Sequence, residues 1–251
     1  MKGGIAVGAL IMSGMLSSAI AADMAQPWAG WYGGLNAGYG FDSDNRITTG
    51  GQAAINSATV ADGARPASVE ISSDGFVGGG QIGYNWQRMN WLWGVEADLQ
   101  LTDLKETVNA VTVGTAFPGT RNNVFTQDLD YLGTVRGRIG WTWDRTVAYA
   151  TGGLAYGRVN VSADFSGPLP AGARQFTGSE KKTETGWTLG AGLEHAFARN
   201  LSAKIEYLYY DLGDTDVAVN VIPGSGGVGT GYNSRFENKG QLIRVGLNYK
   251  F

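Results

Sequence analysis

LIRVGLNYKF, residues 242–251, is the stretch on which the fold turns. Taken in steps of two, Ile243, Val245, Leu247, Tyr249 and Phe251 are apolar. Between them stand Leu242, Arg244, Gly246, Asn248 and Lys250, mostly polar or small. A β-strand sends successive side chains to opposite faces. One face of this strand is therefore greasy and the other wet, and the greasy face runs to the last residue of the sequence.

Seven further runs repeat the alternation. Residues 30–41 set Trp31, Leu35, Ala37, Tyr39 and Phe41 against Asn36 and glycines. Residues 75–87 set Phe76, Ile82, Tyr84 and Trp86 against Gln81 and Asn85. The cleanest run, 90–102, opposes Trp91, Trp93, Val95, Ala97, Leu99 and Leu101 to Glu96, Asp98 and Gln100. In 129–143, Leu129, Tyr131, Val135, Ile139, Trp141 and Trp143 oppose Asp130, Thr134, Arg136 and Arg138. The run 146–161 is weaker, with Val147, Tyr149, Val159 and Val161 read as the apolar face and Arg158 and Asn160 as the polar one. Residues 184–197 oppose Trp187, Leu189, Ala191, Leu193 and Phe197 to Thr188 and Glu194. Residues 201–210 oppose Leu201, Ala203, Ile205, Tyr207 and Tyr209 to Ser202, Lys204 and Glu206.

Most runs are long enough to cross a bilayer at a tilt of about 45°, whereas strands of soluble sandwiches are typically about five or six residues. The connections 87–90, 143–145 and 197–200 are tight, and those at 42–74, 103–128, 162–183 and 211–240 are long and polar. Short turns on one side and long loops on the other is the pattern of transmembrane barrels, with the short turns periplasmic. The expected fold is all-β, an eight-stranded antiparallel up-and-down transmembrane β-barrel over residues 30–251. Trp86, Trp91, Trp93, Trp141, Trp143 and Phe197 lie at strand ends beside the tight turns, where an aromatic girdle would meet the headgroups. The competing reading, the aromatic core of a soluble sandwich, would place such rings in mid-strand.

At the N-terminus, Lys2 precedes an apolar run over 5–15 and then Ala19-Ile20-Ala21. This is the order of a secretory signal peptide with an A-x-A cleavage site, giving an expected signal peptide over 1–21 and a short segment over 22–29. The alternative is an uncleaved anchor helix, but Gly8, Ser13, Gly14, Ser17 and Ser18 interrupt the run. No other segment reaches the roughly 18 continuous apolar residues of a spanning helix. Only a closed barrel then satisfies its backbone in lipid.

Composition agrees. The 251 residues include 40 Gly, 11% aromatic and only 16% charged side chains, which argues against disorder and helical bundles. A net charge of −3 carries no nucleic-acid footprint. Cysteine is absent, excluding disulfides, thiol catalysis and Cys-based metal sites.

If the apolar face meets lipid, the other face points inward with Glu96, Asp98, Glu194 and Glu206 against Arg136, Arg138, Lys204 and Arg244. An eight-stranded barrel is just wide enough for side chains to fill it, and buried charges must pair. Glu96 and Asp98 on one strand are expected to face Arg136 and Arg138 on the next, forming a salt-bridged plug. An ion-selective pore is the alternative. Inward glycines (Gly34, Gly38, Gly79, Gly83, Gly140, Gly190, Gly192 and Gly246) are expected to make room for the Arg and Lys arms.

The segments WAGWYGGLNAGYGF, GFVGGGQIGYNWQ with WLWGVEADLQ, YLGTVRGRIGW, YATGGLAYG, GWTLGAGLEHAF and EYLYYDLGD resemble the OmpA-like β-barrel proteins of alphaproteobacteria, small surface proteins often labelled "porin family". The resemblance spans nearly all of the chain after the signal peptide. It implies an outer-membrane structural protein with exposed, antigenic loops, and pore activity or haem binding in some members. The final strand is similar to the C-terminal strand of such barrels, with Tyr249 and Phe251 as the signal read by the barrel-assembly machinery. The implied partners are outer-membrane lipid and lipopolysaccharide, that machinery, and surface ligands of the loops. A periplasmic peptidoglycan-binding domain after Phe251 is not expected, nor a plug from residues 22–28.

No catalytic residue, cofactor site or metal site is expected. His195 is the only histidine; parity turns it to lipid, away from Glu194 and Ser202, which point inward. Asp42, Asp44, Asp62, Glu70, Asp74, Asp211, Asp214 and Asp216 lack EF-hand spacing, although Asp214 and Asp216 could hold a surface cation loosely. GSGGVGTG at 224–231 lacks the Lys-Ser/Thr ending of a phosphate loop and reads as a flexible tip. External haem would find only Tyr232 or an adventitious site. The reading is a structural surface barrel with a closed or nearly closed lumen. A small passive diffusion porin is the alternative, and a haem-binding, lipid-modifying or proteolytic barrel is third.

Overall fold

The computed structural model describes residues 28–41, 45–168 and 172–251. The expected signal peptide, nearly all of segment 22–29, and Asp42 and Asp44 lie outside the described residues. The elements are β1 (Gly30–Phe41), β2 (Asn45–Gly51), α1 (Ala54–Ala61), β3 (Ser68–Ile71), β4 (Asp74–Arg88), β5 (Trp91–Val113), β6 (Thr120–Trp143), β7 (Thr146–Ser166), β8 (Arg174–Ala196), β9 (Leu201–Val221) and β10 (Gly231–Lys250). Eight of the strands pair antiparallel in the order β1-β4-β5-β6-β7-β8-β9-β10, and β10 pairs back onto β1 from Lys250↔Tyr32 to Gln241↔Phe41. The ring closes, so the sandwich reading is excluded. β2 and β3 are not staves of this ring. β2 continues beside β10 where β1 stops, pairing Ile47 with Phe236 and Gly51 with Tyr232, and β3 pairs onto β2.

Around the lower half, the apolar face points outward. Trp31, Leu35, Ile82, Val95, Leu99, Val135, Ile139, Leu189, Ile205, Val245 and Leu247 are all exposed. On β5 the outward apolar residues run from Trp91 to Leu101. At about 3.4 Å per residue and about 40° of tilt this belt is about 25 Å high, the height of the apolar band of an outer-membrane barrel. Trp86, Trp91, Trp93, Trp141, Trp143 and Phe197 all face outward at the short-turn end, with Trp91 and Trp141 edge to face at 5.1 Å. A second aromatic level, not singled out in the sequence, rims the opposite edge of the belt. It includes the Tyr39–Phe76, Tyr131–Tyr156 and Trp187–Tyr209 pairs.

Two sequence expectations fail here. The first concerns β7. Val147, Tyr149, Val159 and Val161 are buried inside the barrel, while Ala150 and Leu154 face out. The two-residue turn after Trp143 is the cause: it pairs Thr142 with Val147 and Trp141 with Ala148, and directly paired residues share a face. Trp141 faces lipid, so Ala148 must as well. The small outward residues of this strand hid its parity.

The second concerns the long loops. Most of 103–128, 162–183 and 211–240 is paired strand: β5 runs on to Val113, β6 starts at Thr120, and β7 and β9 extend to Ser166 and Val221. Residues 42–74 hold β2, α1 and β3. In this outer part the polarity of the wall is reversed. On β7, Val159, Val161, Ala163 and Phe165 point in while Asn160, Ser162 and Asp164 point out; on β9, Val217 and Val219 point in while Asp216 and Asn220 point out. Together with Leu104, Phe125, Leu129, Phe176, Phe236, Ile47 and Ile71 they form one apolar core. Strand irregularities mark the change of regime, between Leu101 and Leu104, Leu129 and Tyr131, and Glu237 and Lys239. An inserted residue can reset which side chains face inward, and it does so on β6, between Leu129 and Leu132, and on β9, between Leu212 and Thr215, while β5, β7 and β10 keep their parity.

Candidate functional site in the barrel interior

Below the apolar core the lumen is charged. Five staves supply its ionic groups: Glu96 and Asp98 from β5, Arg136 and Arg138 from β6, Glu194 from β8, Lys204 and Glu206 from β9, and Arg244 from β10. All eight are buried, Arg244 completely. Glu96 lies at the centre. It takes Lys204 Nζ at 3.0 Å and the hydroxyl of Tyr32 at 2.7 Å, and it pairs closely with Arg136. Asp98 accepts from Arg136 at 2.9 Å, Arg244 at 3.1 Å and Thr134 Oγ1 at 2.7 Å. Glu206 holds Arg244 at 2.5 Å, Arg136 at 3.2 Å and the Tyr149 hydroxyl at 2.9 Å.

Arg138, expected to face Glu96 and Asp98, has its shortest ion pair with neither. It reaches across the lumen to Glu194 at 3.1 Å, with Glu96 only at 4.0 Å. Its guanidinium lies 4.9 Å and 5.1 Å from the ring centres of Tyr32 and Tyr149. Glu194 also accepts from Ser202 at 2.5 Å and Asn248 at 2.7 Å. An amide chain continues the network, Asn36 donating to Gln81 and Gln81 to Asn248, each at 2.6 Å. Each of the eight ionic groups has an opposite charge within 4.0 Å.

The glycines serve this packing in two ways. Gly38 lies against Arg244, where a Cβ would stand 2.7 Å from the arginine's Cβ. Others seat tyrosines instead of cationic arms: a Cβ on Gly83 would stand 2.3 Å from the Tyr32 hydroxyl, and one on Gly192 2.5 Å from that of Tyr149. Both rings lie flat on the wall and so reach Glu96 and Glu206. The sequence reading missed these tyrosines. Parity alone places Tyr32 inward; Tyr149 was hidden by the inverted face of β7.

The remaining candidates separate. His195 faces outward, its Nδ1 2.9 Å from Thr146 Oγ1, while Ser202 and Glu194 bond to each other inside. Asp216 is held by Arg235 at 2.8 Å and 3.2 Å. Among the described residues no three His, Asp or Glu side chains gather as metal ligands. Tyr232, the loop residue that a haem reading would have to use, is buried in the outer core with its hydroxyl 2.9 Å from Thr59 Oγ1. The glycine-rich segment 224–231 is not a free tip. Asn56 of α1 donates to the Val228 carbonyl at 2.9 Å and accepts from the Thr230 and Gly231 amides at 3.1 Å and 3.3 Å.

Residues 8–251 match the model of the outer membrane protein beta-barrel domain. The 31 kDa outer-membrane immunogenic protein of Brucella melitensis is 36% identical over 238 residues, covering 89% of this chain and 84% of that protein. The 22 kDa outer membrane protein of Rhizobium leguminosarum bv. viciae is 33% identical over 175 residues, covering 69% of this chain and 66% of that one. Among solved structures, OprG of Pseudomonas aeruginosa superposes with a TM-score of 0.51 at 14% identity, covering 89% of this chain and 96% of its own. That last likeness is one of fold.

Proposed function

This chain belongs to the outer membrane protein beta-barrel family, and from that premise we propose that its role is structural and surface-directed. It is a protein of the bacterial outer membrane. In the proposed reading the barrel is an anchor whose lumen is closed to ions, and the outer part of β5 to β10, with β2, α1 and β3, is displayed to the environment. The observation that carries this is the lumen network. Eight buried charges, four of each sign, are cross-paired among five staves. A conducting filter needs a hydrated path or a ring of one sign.

The Brucella relative is named an immunogenic protein, and the outward-facing hairpins here are the surface antibodies would meet. We infer no catalytic role, since His195 stands on the opposite face of the wall from Ser202 and Glu194. The proposed partners are outer-membrane lipid and lipopolysaccharide around the belt, and the barrel-assembly machinery. For the latter, Tyr249 and Phe251 face outward side by side, ring centres 5.6 Å apart.

The test is single-channel conductance of the refolded protein in a planar bilayer. Little or no steady current is expected. Stable, reproducible channels would overturn the closed lumen and make the protein a small diffusion porin.

A further inference from the structure

The outer end of the barrel contains two arginines whose surroundings contrast with those of every arginine in the lumen. Arg65, in the segment between α1 and β3, is only 2% exposed. Its Nη1 donates to Asn123 Oδ1 at 2.7 Å, and its guanidinium carbon lies 5.3, 5.6 and 5.8 Å from the ring centres of Phe165, Phe176 and Tyr232. Arg121, at the start of β6, is held by backbone carbonyls alone, Phe117 at 2.7 Å, Gly119 at 2.9 Å and Pro118 at 3.4 Å. Among the described residues no carboxylate pairs with either. Asp62 is near enough to Arg121 for the two charges to attract, but they form no ion pair: its oxygens accept the amides of Ala116 at 2.8 Å and Phe117 at 3.1 Å. Those bonds, the Ala116 amide foremost, hold its carboxyl below the usual carboxylate range.

Both arginines line one cavity of ≈ 270 Å³. All four outer connections reach it: Ile55 and Thr59 from the first, Phe117 and Arg121 from the second, Gln175 and Phe176 around the third, Val228 and Tyr232 around the fourth. The rest of its wall is largely apolar or aromatic. A buried cation without a counter-charge is costly. Burial accordingly draws the Arg65 guanidinium below its ordinary value; the Tyr232 hydroxyl beside it works against that shift, and the positive charge of Arg121 adds to it.

We propose that this cavity is a binding site for a small organic anion, a carboxylate on an aromatic or short aliphatic body. The carboxylate would meet the Arg65 and Arg121 guanidiniums, whose planar forks suit that group. The body would lie against Ile55, Phe117 and Val228. An inorganic ion would satisfy the charges and leave those walls uncovered. A ligand pocket with mostly apolar walls and a few convergent polar groups is the usual arrangement for a small molecule. The site is independent of the lumen and of whether the barrel conducts.

The experiment is a ¹⁹F NMR titration of the refolded full-length protein in zwitterionic micelles with 4-fluorobenzoate. The neutral 4-fluorobenzamide, of nearly the same shape, reports partition into the micelle. Saturable binding of the benzoate is expected, about tenfold or more tighter than the amide, and weakened by at least about tenfold in Arg121→Gln. Arg65→Gln is expected to do the same. Should it misfold, Arg121→Gln suffices, because that side chain bonds only to its own loop. Absence of saturable binding, equal binding of the two probes, or an unchanged affinity in Arg121→Gln would each overturn the site.

Discussion

The inner and outer halves of this barrel share the same staves and are built to opposite rules. In the inner half the wall is apolar outside and the interior holds eight paired charges. In the outer half the wall is polar outside and the interior is a core of Phe125, Phe165, Phe176, Phe236 and aliphatic side chains. What changes between them is the solvent. Lipid beside Val95 or Val135 leaves only the lumen for polar side chains, whereas water beside Asn160 or Asp216 lets the hydrophobic effect fill the interior. The outer extension thus folds like a soluble β domain standing on a membrane one.

The harshest break falls on the inner half. Arg136→Ala with Arg138→Ala leaves Glu96, Asp98 and Glu194 short of counter-charges, and breaking a buried pair costs about 3–5 kcal/mol. A strongly lowered melting temperature in detergent is expected, and unchanged melting would refute the charged plug. Phe125→Ala should cost the outer core about 3–5 kcal/mol as well, but locally. Hydrogen exchange should quicken in the outer parts of β6, β7 and β10 while the belt strands stay protected. Uniform loss of protection would mean that the two halves unfold as one.

The sharpest comparison uses one strand. Val95→Arg puts a charge on the lipid face of β5 near mid-belt, where about 2–4 kcal/mol is lost. Asn109→Arg, outward on the same strand beyond the belt, should change stability by no more than about 0.5 kcal/mol. Refolding yield and urea midpoints in lipid vesicles would measure both. Similar effects at the two positions would place the membrane boundary elsewhere.

The inner half was the legible one. Lipid outside forces a strict alternation, so stepping by two along 90–102 and 201–210 puts Glu96, Asp98, Lys204 and Glu206 inside together. Tight turns carry that parity from stave to stave. Where outward residues are small, as with Ala148 and Ala150, the alternation loses contrast, and Val147 and Tyr149 were read on the wrong face. The outer half was harder for a different reason. Its interior mixes residues from every connection, and on β6 and β9 irregularities at its base break the count by two. Polar outward residues then made paired strands look like loops.

By itself the sequence determined the eight staves of the belt, the alternation of short and long connections, and the four acids and four bases of the lumen. These follow from a period of two imposed by lipid, which is written along each strand. Tertiary structure alone decided which base meets which acid, Arg138 crossing to Glu194 being the clearest case. It also decided that Arg65 and Arg121 line one cavity. Such pairings depend on the closure and stagger of the ring and on contacts between distant connections, and no local pattern encodes them.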